Sequence, residues 1–347
     1  MSPKAVRLFG RELTVWGSDG DDYYTGIVDG TDLTDPLLSA IRPHVAEDSV
    51  CIDVGANIGL YTLGFSVLAP RGRVCAVEPS PQTYRWLTRN VEANEVSNVE
   101  CFQSALGDRE GWIDLHDVPF FTAGSFTAEE GSYLGTEALG SILVKVPCTT
   151  LDAFVARHSV SRVDVVKIDV EGAELAVLEG AGTTLTRHRP IVVLEFNSFG
   201  FTLHRGVLPQ VALTRIQEIF PHVFVVDRVD SSLARLQGPA AAYAFLYANG
   251  VFGPTDNLLC SFVDLPVERP YGYGGGVPQR AGPLSAAAEL EAMRRTVSWR
   301  ITAPLRAARR RAARMPSLPH WCSARRPRPD APPSVAAEGG SANGSHR

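Results

Sequence analysis

Residues 50–62 read Val-Cys-Ile-Asp-Val-Gly-Ala-Asn-Ile-Gly-Leu-Tyr-Thr, and their reading decides the fold. Val50 to Val54 is an apolar run of strand length, Gly55 and Gly59 punctuate a turn, and a helical pattern follows. A strand, a glycine turn and a helix in that order bring backbone N–H groups and a helix start close to a nucleotide-like ligand. The glycine spacing discriminates between such ligands. A pyrophosphate site wants G-x-G-x-x-G, with the second glycine making room for the phosphates. Here Asn57 holds that position and Leu60 the last, so a dinucleotide fits poorly.

The neighbouring sequence extends the unit. The run Val-Cys-Ala-Val-Glu-Pro ends in Glu78, 25 residues after Asp53, a spacing that suits a carboxylate accepting hydrogen bonds from ribose hydroxyls. Around these two runs, strands are expected at 50–54, 73–77, 99–104, 163–168, 191–196, 223–227 and 257–263. Helices are expected at 59–69, 81–94, 172–187 and 209–219. Such alternation predicts an α/β fold, a Rossmann-like, doubly wound, mostly parallel sheet with helices on both faces. Thr34-Asp35-Pro36 reads as a helix start reaching about Val45, and Thr150-Leu151-Asp152 as another reaching His158. Residues 107–150 break the rhythm with two β-like runs around a Gly/Ser/Thr-rich loop, and the stretch 117–140 carries no assignable pattern.

A second distinctive run, Val166-Lys167-Ile168-Asp169-Val170-Glu171-Gly172-Ala173-Glu174, ends an apolar strand in an acid and opens a helix. Ligands of open parallel sheets bind outside the carboxyl ends of the strands. Asp53, Glu78 and Asp169 each end an expected strand and can face one crevice. Asp169 and Glu171 also suit a plainer role, as acids favourable at a helix start.

Composition bounds the rest. The chain has 347 residues, 45% hydrophobic, a formal charge of −5 and six cysteines. No C-x-x-C pair or zinc-like Cys/His spacing occurs, so free thiols in a reducing cytoplasm are expected and no metal site is assigned. No apolar run is long enough to span a membrane, and the first residues lack the long apolar core of a signal peptide. Residues 291–347 carry twelve arginines against three acids, a net of +9, leaving −14 on residues 1–290. An acidic body argues against a nucleic-acid partner. The expected organisation is an N-terminal lead-in at 1–45, a Rossmann-like domain at 46–265, a Pro/Gly-rich linker at 266–285, a basic helical segment at 286–315 and a disordered tail at 316–347. The basic segment places arginines around a narrow stripe of Ile301, Leu305, Ala308, Ala312 and Met315. It suits peripheral contact with an anionic membrane face, or docking to a partner such as a glycosyltransferase.

The ordered set D-V-G-A-N-I-G-L-Y-T, V-E-P, T-L-D and V-K-I-D-V-E-G-A-E-L, over roughly residues 48–227, resembles the FkbM-type methyltransferase family. The resemblance implies S-adenosyl-L-methionine as methyl donor and a hydroxyl oxygen as the usual acceptor. It implies that Asp53, Gly55, Asn57 and Gly59 form the donor loop, that Glu78 binds the ribose, and that Ser104 and Ala105 lie by the adenine. It sets Asp169 and Glu171 at the methyl-transfer region.

Transfer to a hydroxyl needs alignment and a base. Asp169 is the first candidate and His204, read as a loop residue, the second. Glu195 sits unusually within an apolar strand and is read either as a shifted, functional acid or as the partner of an arginine. Lys167 is read as a strand residue whose stem snorkels. Three functions stand: a cytoplasmic O-methyltransferase acting on a sugar hydroxyl of a glycan or glycolipid precursor, an O-methyltransferase of a polyketide-type natural product, and a non-catalytic donor-binding accessory domain in a glycan-assembly complex.

Overall fold

The structure is a computed structural model and describes residues 2–33, 35–127, 141–252, 255–267 and 269–271. In chain order, β1 (Lys4–Leu8), β2 (Arg11–Val15), α1 (Asp22–Gly26), β3 (Thr31–Asp32) and α2 (Pro36–Ile41) precede β4 (Val50–Val54). Then come α3 (Leu60–Leu68), β5 (Arg73–Val77), α4 (Pro81–Ala93), β6 (Val99–Phe102), β7 (Ala105–Leu106), β8 (Gly111–Asp117), β9 (Phe126–Thr127), β10 (Ile142–Thr149) and α5 (Leu151–Arg157). The chain continues through β11 (Val165–Ile168), α6 (Glu174–Glu179), α7 (Gly182–His188), β12 (Ile191–Asn197), α8 (Ser198–Arg205), α9 (Pro209–Ile219), β13 (His222–Val226), β14 (Leu233–Arg235), α10 (Gly238–Phe252) and β15 (Thr255–Ser261).

Eight strands form the central sheet in the order β14-β13-β15-β12-β11-β4-β5-β6. From β12 to β6 every pairing is parallel, whereas β15 runs antiparallel to both its neighbours. The strand expected at 257–263 is β15, which sits inside the sheet between β12 and β13. Parallel strands buried on both faces read as continuous apolar runs, and β4 illustrates why. Ile52 and Val54 pack with the layer that includes Leu178, Phe201 and Leu213, while Cys51 packs on the other face with Leu63 and Phe65. The strands β7, β8, β9 and β10 form a separate small sheet in the order β7-β10-β8-β9.

The N-terminal residues 2–33, of which sequence periodicity says little, contain a three-stranded sheet, β2-β1-β3. Val6, Leu8, Leu13 and Val15 are buried in the same cluster as Ile58, Leu63 and Phe65. The lead-in thus shares the main core.

Three local differences have physical causes. The helix expected at 172–187 is two helices, because the Asp152 carboxylate of α5 accepts hydrogen bonds from Thr183 N at 2.8 Å and Thr184 N at 2.7 Å and so starts α7 afresh. The segment after β12, expected to be a loop, is α8, capped where Asn197 Oδ1 accepts from Gly200 N at 2.9 Å. The third strand stops at Phe102 rather than 104. The linker beyond residue 271, the basic helical segment at 286–315 and the tail at 316–347 lie outside the described residues, as does 128–140 of the patternless loop.

Register sets the site. Val54 of β4 pairs with Val77 of β5 and with Ile168 of β11, and Ile168 pairs with Leu194 of β12. The residues just beyond these four positions, Gly55, Glu78, Asp169 and Glu195, therefore stand side by side at one edge.

Candidate active site

A cavity of about 600 Å3 opens at that edge, and Gly55, Asn57, Glu78, Ser104, Ala105, Asp169, Glu171 and Glu195 all line it. Its floor is the turn after β4. Gly55 has φ +75°, and an added Cβ would collide with the Asp169 carbonyl. Glycine is required there by conformation and by the close approach of the two strand-end turns. Asn57 also takes a left-handed conformation, at φ +52°.

Glu78 is 6% exposed. Its Oε2 accepts from Asn57 N at 2.9 Å and its Oε1 from Ser80 N at 2.8 Å. Each oxygen keeps a lone pair for one more donor. Burial pushes this carboxyl up to about 7, against the two amide bonds that favour its ionised form.

Asp53 and Gly59 lie behind the turn and do not line the cavity. Asp53 is fully buried, and its Oδ2 accepts from Thr62 Oγ1 at 2.6 Å. Register sets it opposite Lys167. The Lys167 ammonium, 3% exposed, reaches Asp53 Oδ1 at 3.3 Å, Asp169 Oδ2 at 3.4 Å and the Gly55 carbonyl at 3.0 Å. Its stem therefore does not snorkel to solvent. The ion pairs outweigh the desolvation of the ammonium and hold Lys167 above the ordinary lysine range. The group ties the glycine turn to Asp169.

Asp169 is 34% exposed. Glu171 and Gly172 follow with left-handed φ of +54° and +101°, and Gly172 fits because its missing Cβ would strike the backbone of Gly200. This tight turn buries the Glu171 carboxylate, whose Oε2 accepts from Asn197 Nδ2 at 3.0 Å. The same amide donates to Glu195 at 3.4 Å. Burial first, then the charge of Glu195, pushes Glu171 well above the usual carboxylate range. Burial first, then Asp169 and Glu174, does the same to Glu195. Of the two sequence readings of Glu195, the shifted acid fits these surroundings. One carboxylate oxygen each from Asp169, Glu171 and Glu195 lies within 4.8 Å of the others, and among the described residues this is the trio with spacing suited to a cation.

His204 is not in a loop. It sits on α8, 4% exposed, and does not line the cavity. Its Nδ1 meets the Glu171 carbonyl at 2.9 Å, and its ring stacks on Phe126 at 3.9 Å between centroids. Burial lowers its pKa. The geometry is that of a neutral ring bracing the Glu171 turn.

The sequence reading missed three further residues of the lining. Tyr23 of α1, Asp35 at the start of α2 and Tyr61 of α3 line the same cavity. Tyr61 Oη donates to Asp35 Oδ2 at 2.9 Å, while Asp35 Oδ1 caps α2 by accepting from Leu38 N. The cap signal at Asp35 was legible; its second oxygen facing the cavity was not.

A parallel sheet with an antiparallel strand inserted beside β12, a glycine turn after its first parallel strand and acids at the next strand ends make a Rossmann-like fold. Residues 53–219 match the family described as the Methyltransferase FkbM domain. The chain is 30% identical over 174 residues to the hexuronic acid methyltransferase AglP of Haloferax volcanii, covering 50% of this chain and 64% of that protein. It is 27% identical over 184 residues to the 2-O-methyltransferase NoeI of Sinorhizobium fredii, covering 50% and 72%. It is 31% identical over 146 residues to Methyltransferase 1 of Beauveria bassiana, covering 39% and 59%. The chain spans about three fifths of the length of the first curated relatives it matches. A solved FkbM methyltransferase of Methylobacillus flagellatus superposes with a TM-score of 0.36 at 16% identity, over 62% of this chain and 44% of that one. Among the described residues no helix is long and apolar enough to cross a membrane.

Proposed function

We propose that the chain is an S-adenosyl-L-methionine-dependent O-methyltransferase whose acceptor is a sugar hydroxyl of a glycan or glycolipid precursor. The observation that carries this reading is the placing of Glu78 and Asp169 at the ends of the two strands that flank β4, on either side of the Gly55 turn, all facing one cavity. The cavity residues fit the donor. Glu78 retains one acceptor lone pair on each oxygen for the two ribose hydroxyls. Its charge and that of Asp169 would repel a pyrophosphate, and Lys167 is already ion-paired to Asp53 and Asp169. Ser104 and Ala105 stand where an adenine would lie. When bound, the donor supplies an electrophilic methyl on a sulfonium.

The chain's own residues then align and deprotonate. The Gly55–Asn57 backbone permits close approach of the donor, and Lys167 fixes the turn relative to Asp169. Asp169 accepts the proton of the acceptor hydroxyl as that oxygen is alkylated, because it is a half-buried strand-end acid that borders the cavity and is held beside the Gly55 turn by Lys167. Glu171, held by Asn197, borders the same space. His204 acts through Glu171 rather than on the reacting atoms. The sugar class draws support from the relatives described as a hexuronic acid methyltransferase and a 2-O-methyltransferase. Mass spectrometry of glycans and glycolipids from cells with and without the gene tests the reading. A species that loses one methyl mass is expected. Unchanged glycans, with a methyl lost from a polyketide-type product instead, would move the acceptor to that class.

A further inference from the structure

We infer that the segment ahead of the family domain selects the acceptor: Tyr23 and Asp35 form the wall that receives it, and that wall fits a neutral, hydroxyl-rich ring and rejects a carboxylate-bearing one. The inference rests on the methyltransferase reading above and deepens it.

The first support is where these residues come from. The family match begins at residue 53, yet Tyr23 and Asp35 line the same cavity as Asp169 and Glu78. The motif-bearing domain therefore leaves one wall of its cavity to residues 2–52. A wall outside the shared domain is where acceptor choice can vary while the donor chemistry stays fixed.

The second support is that the wall is built rather than draped. Asp21, fully buried, caps α1 by accepting from Tyr23 N at 3.1 Å. The same carboxylate reaches across to the loop before β9, accepting from Thr122 N at 3.0 Å and Thr122 Oγ1 at 2.8 Å. Asp22 N donates to the Phe120 carbonyl at 2.9 Å. Tyr23 is thus stitched to a segment a hundred residues away that also lines the cavity, through Thr122, Ser125 and Phe126. Asp35 is fixed at both oxygens, by Leu38 N and by Tyr61 Oη. Fixed aromatic rings with a polar tip suit a ligand with one apolar face and hydroxyls around its edge, which describes a pyranose.

The third support is charge. Asp35, Asp169, Glu171 and Glu195 share the acceptor side with Lys167, whose ammonium is already engaged by Asp53 and Asp169. Burial pushes the Tyr23 phenol up, so it is a neutral hydrogen-bond donor at physiological pH. The cavity's two arginines, Arg109 and Arg205, stand instead near Cys148 of β10, beside the strand that carries Ala105. With Glu171 and Glu195 pushed towards their neutral forms by burial, an acceptor carboxylate would enter against the charges of Asp35 and Asp169, whereas a neutral ring would offer them hydroxyl protons.

The test uses the full chain saturated with S-adenosylhomocysteine and saturation-transfer NMR. The probes are the methyl glycosides of glucose, mannose, galactose and fucose, and methyl glucuronoside. Calorimetric binding of S-adenosylhomocysteine to each protein comes first; if wild type fails there, the methyltransferase reading itself fails. With the donor product bound, at least one neutral glycoside should give a signal and methyl glucuronoside a signal roughly fivefold weaker or none. Tyr23→Ala should cut the neutral signal roughly fivefold or more, and Tyr23→Phe should keep most of it. Asp35→Asn preserves the helix cap and should raise the glucuronoside signal. The inference is overturned if the glucuronoside binds as well as the neutral rings. It is overturned too if no neutral ring binds, or if Tyr23→Ala binds donor product normally and leaves the neutral signal unchanged.

Discussion

The two halves of the cavity are made differently. The proposed donor half is written in runs of adjacent residues: Gly55 to Asn57, Glu78 to Ser80 and Ser104 to Ala105. Much of its work is done by backbone amides and glycine conformation, so it tolerates little change of any kind. The proposed acceptor half is assembled from Tyr23, Asp35, Tyr61, Asp169, Glu171, Glu195 and the 122–127 segment, which meet only after folding. Its work is done by side chains on elements that could carry others. Damage to the first half should weaken or abolish donor binding, or cost the fold, whereas damage to the second should change selectivity, pH response or rate with the donor still bound.

The largest effect should come from Gly55→Ala. Its Cβ would meet the Asp169 carbonyl, and its φ of +75° disfavours any side chain. A loss of about 3 kcal/mol in unfolding free energy is expected, with donor binding lost, measurable by urea denaturation and calorimetry. Near-native stability with intact donor affinity would show that the two turns can separate freely.

Asp169→Asn keeps shape and hydrogen-bonding capacity but removes the base. Methyl transfer should fall by roughly 10²–10⁴-fold with donor affinity largely kept. His204→Ala is the comparison: its buried stacking on Phe126 predicts a stability loss rather than a loss of chemistry. If His204→Ala abolishes turnover in a stable protein and Asp169→Asn does not, the two roles are reversed.

Glu78 should make donor binding pH-dependent. On the proposed reading the ribose hydroxyls bind the ionised carboxylate, whose pKa burial pushes up to about 7 in the free protein. Donor affinity should therefore weaken roughly tenfold from pH 8 to pH 6, and Glu78→Gln should be weaker at pH 8 and flat across the range. A wild-type affinity that does not move between those pH values would contradict this assignment.

The smallest effect belongs to Glu195. Its folded pKa lies well above the ordinary value, so the folded form keeps a proton that the unfolded chain releases. Its contribution to stability therefore falls as pH rises above the ordinary carboxylate pKa. Glu171, Glu174 and Glu78 add to the same slope. The ligand-free thermal midpoint should decline from pH 5 to pH 8, and Glu195→Gln should flatten that decline and stabilise the protein at pH 8 by roughly 1 kcal/mol. An unchanged slope in the variant would mean that Glu195 is ionised in the folded protein.

Legibility in the sequence follows the same division. The strand-turn-helix at 50–62, the strand-end acids and the parallel sheet are local or periodic signals, and they appear at the expected residues. Lys167 was misread because strand periodicity does not reveal that parallel register sets it against Asp53. The break between α6 and α7 was hidden because its cap comes from Asp152, thirty residues upstream. Tyr23 lies in a five-residue helix, too short for a periodic pattern, and its place in the cavity depends on Asp21 reaching Thr122. His204 was assigned to a loop because its helix is announced only by the Asn197 cap.

The most direct measurement is calorimetric titration of the full-length protein at pH 8 with S-adenosyl-L-methionine and, separately, with nicotinamide adenine dinucleotide. The account predicts saturable one-to-one binding of S-adenosyl-L-methionine, weakened roughly tenfold by Glu78→Gln, and no heat from the dinucleotide. Dinucleotide binding, or no binding of S-adenosyl-L-methionine to the folded protein, would contradict it.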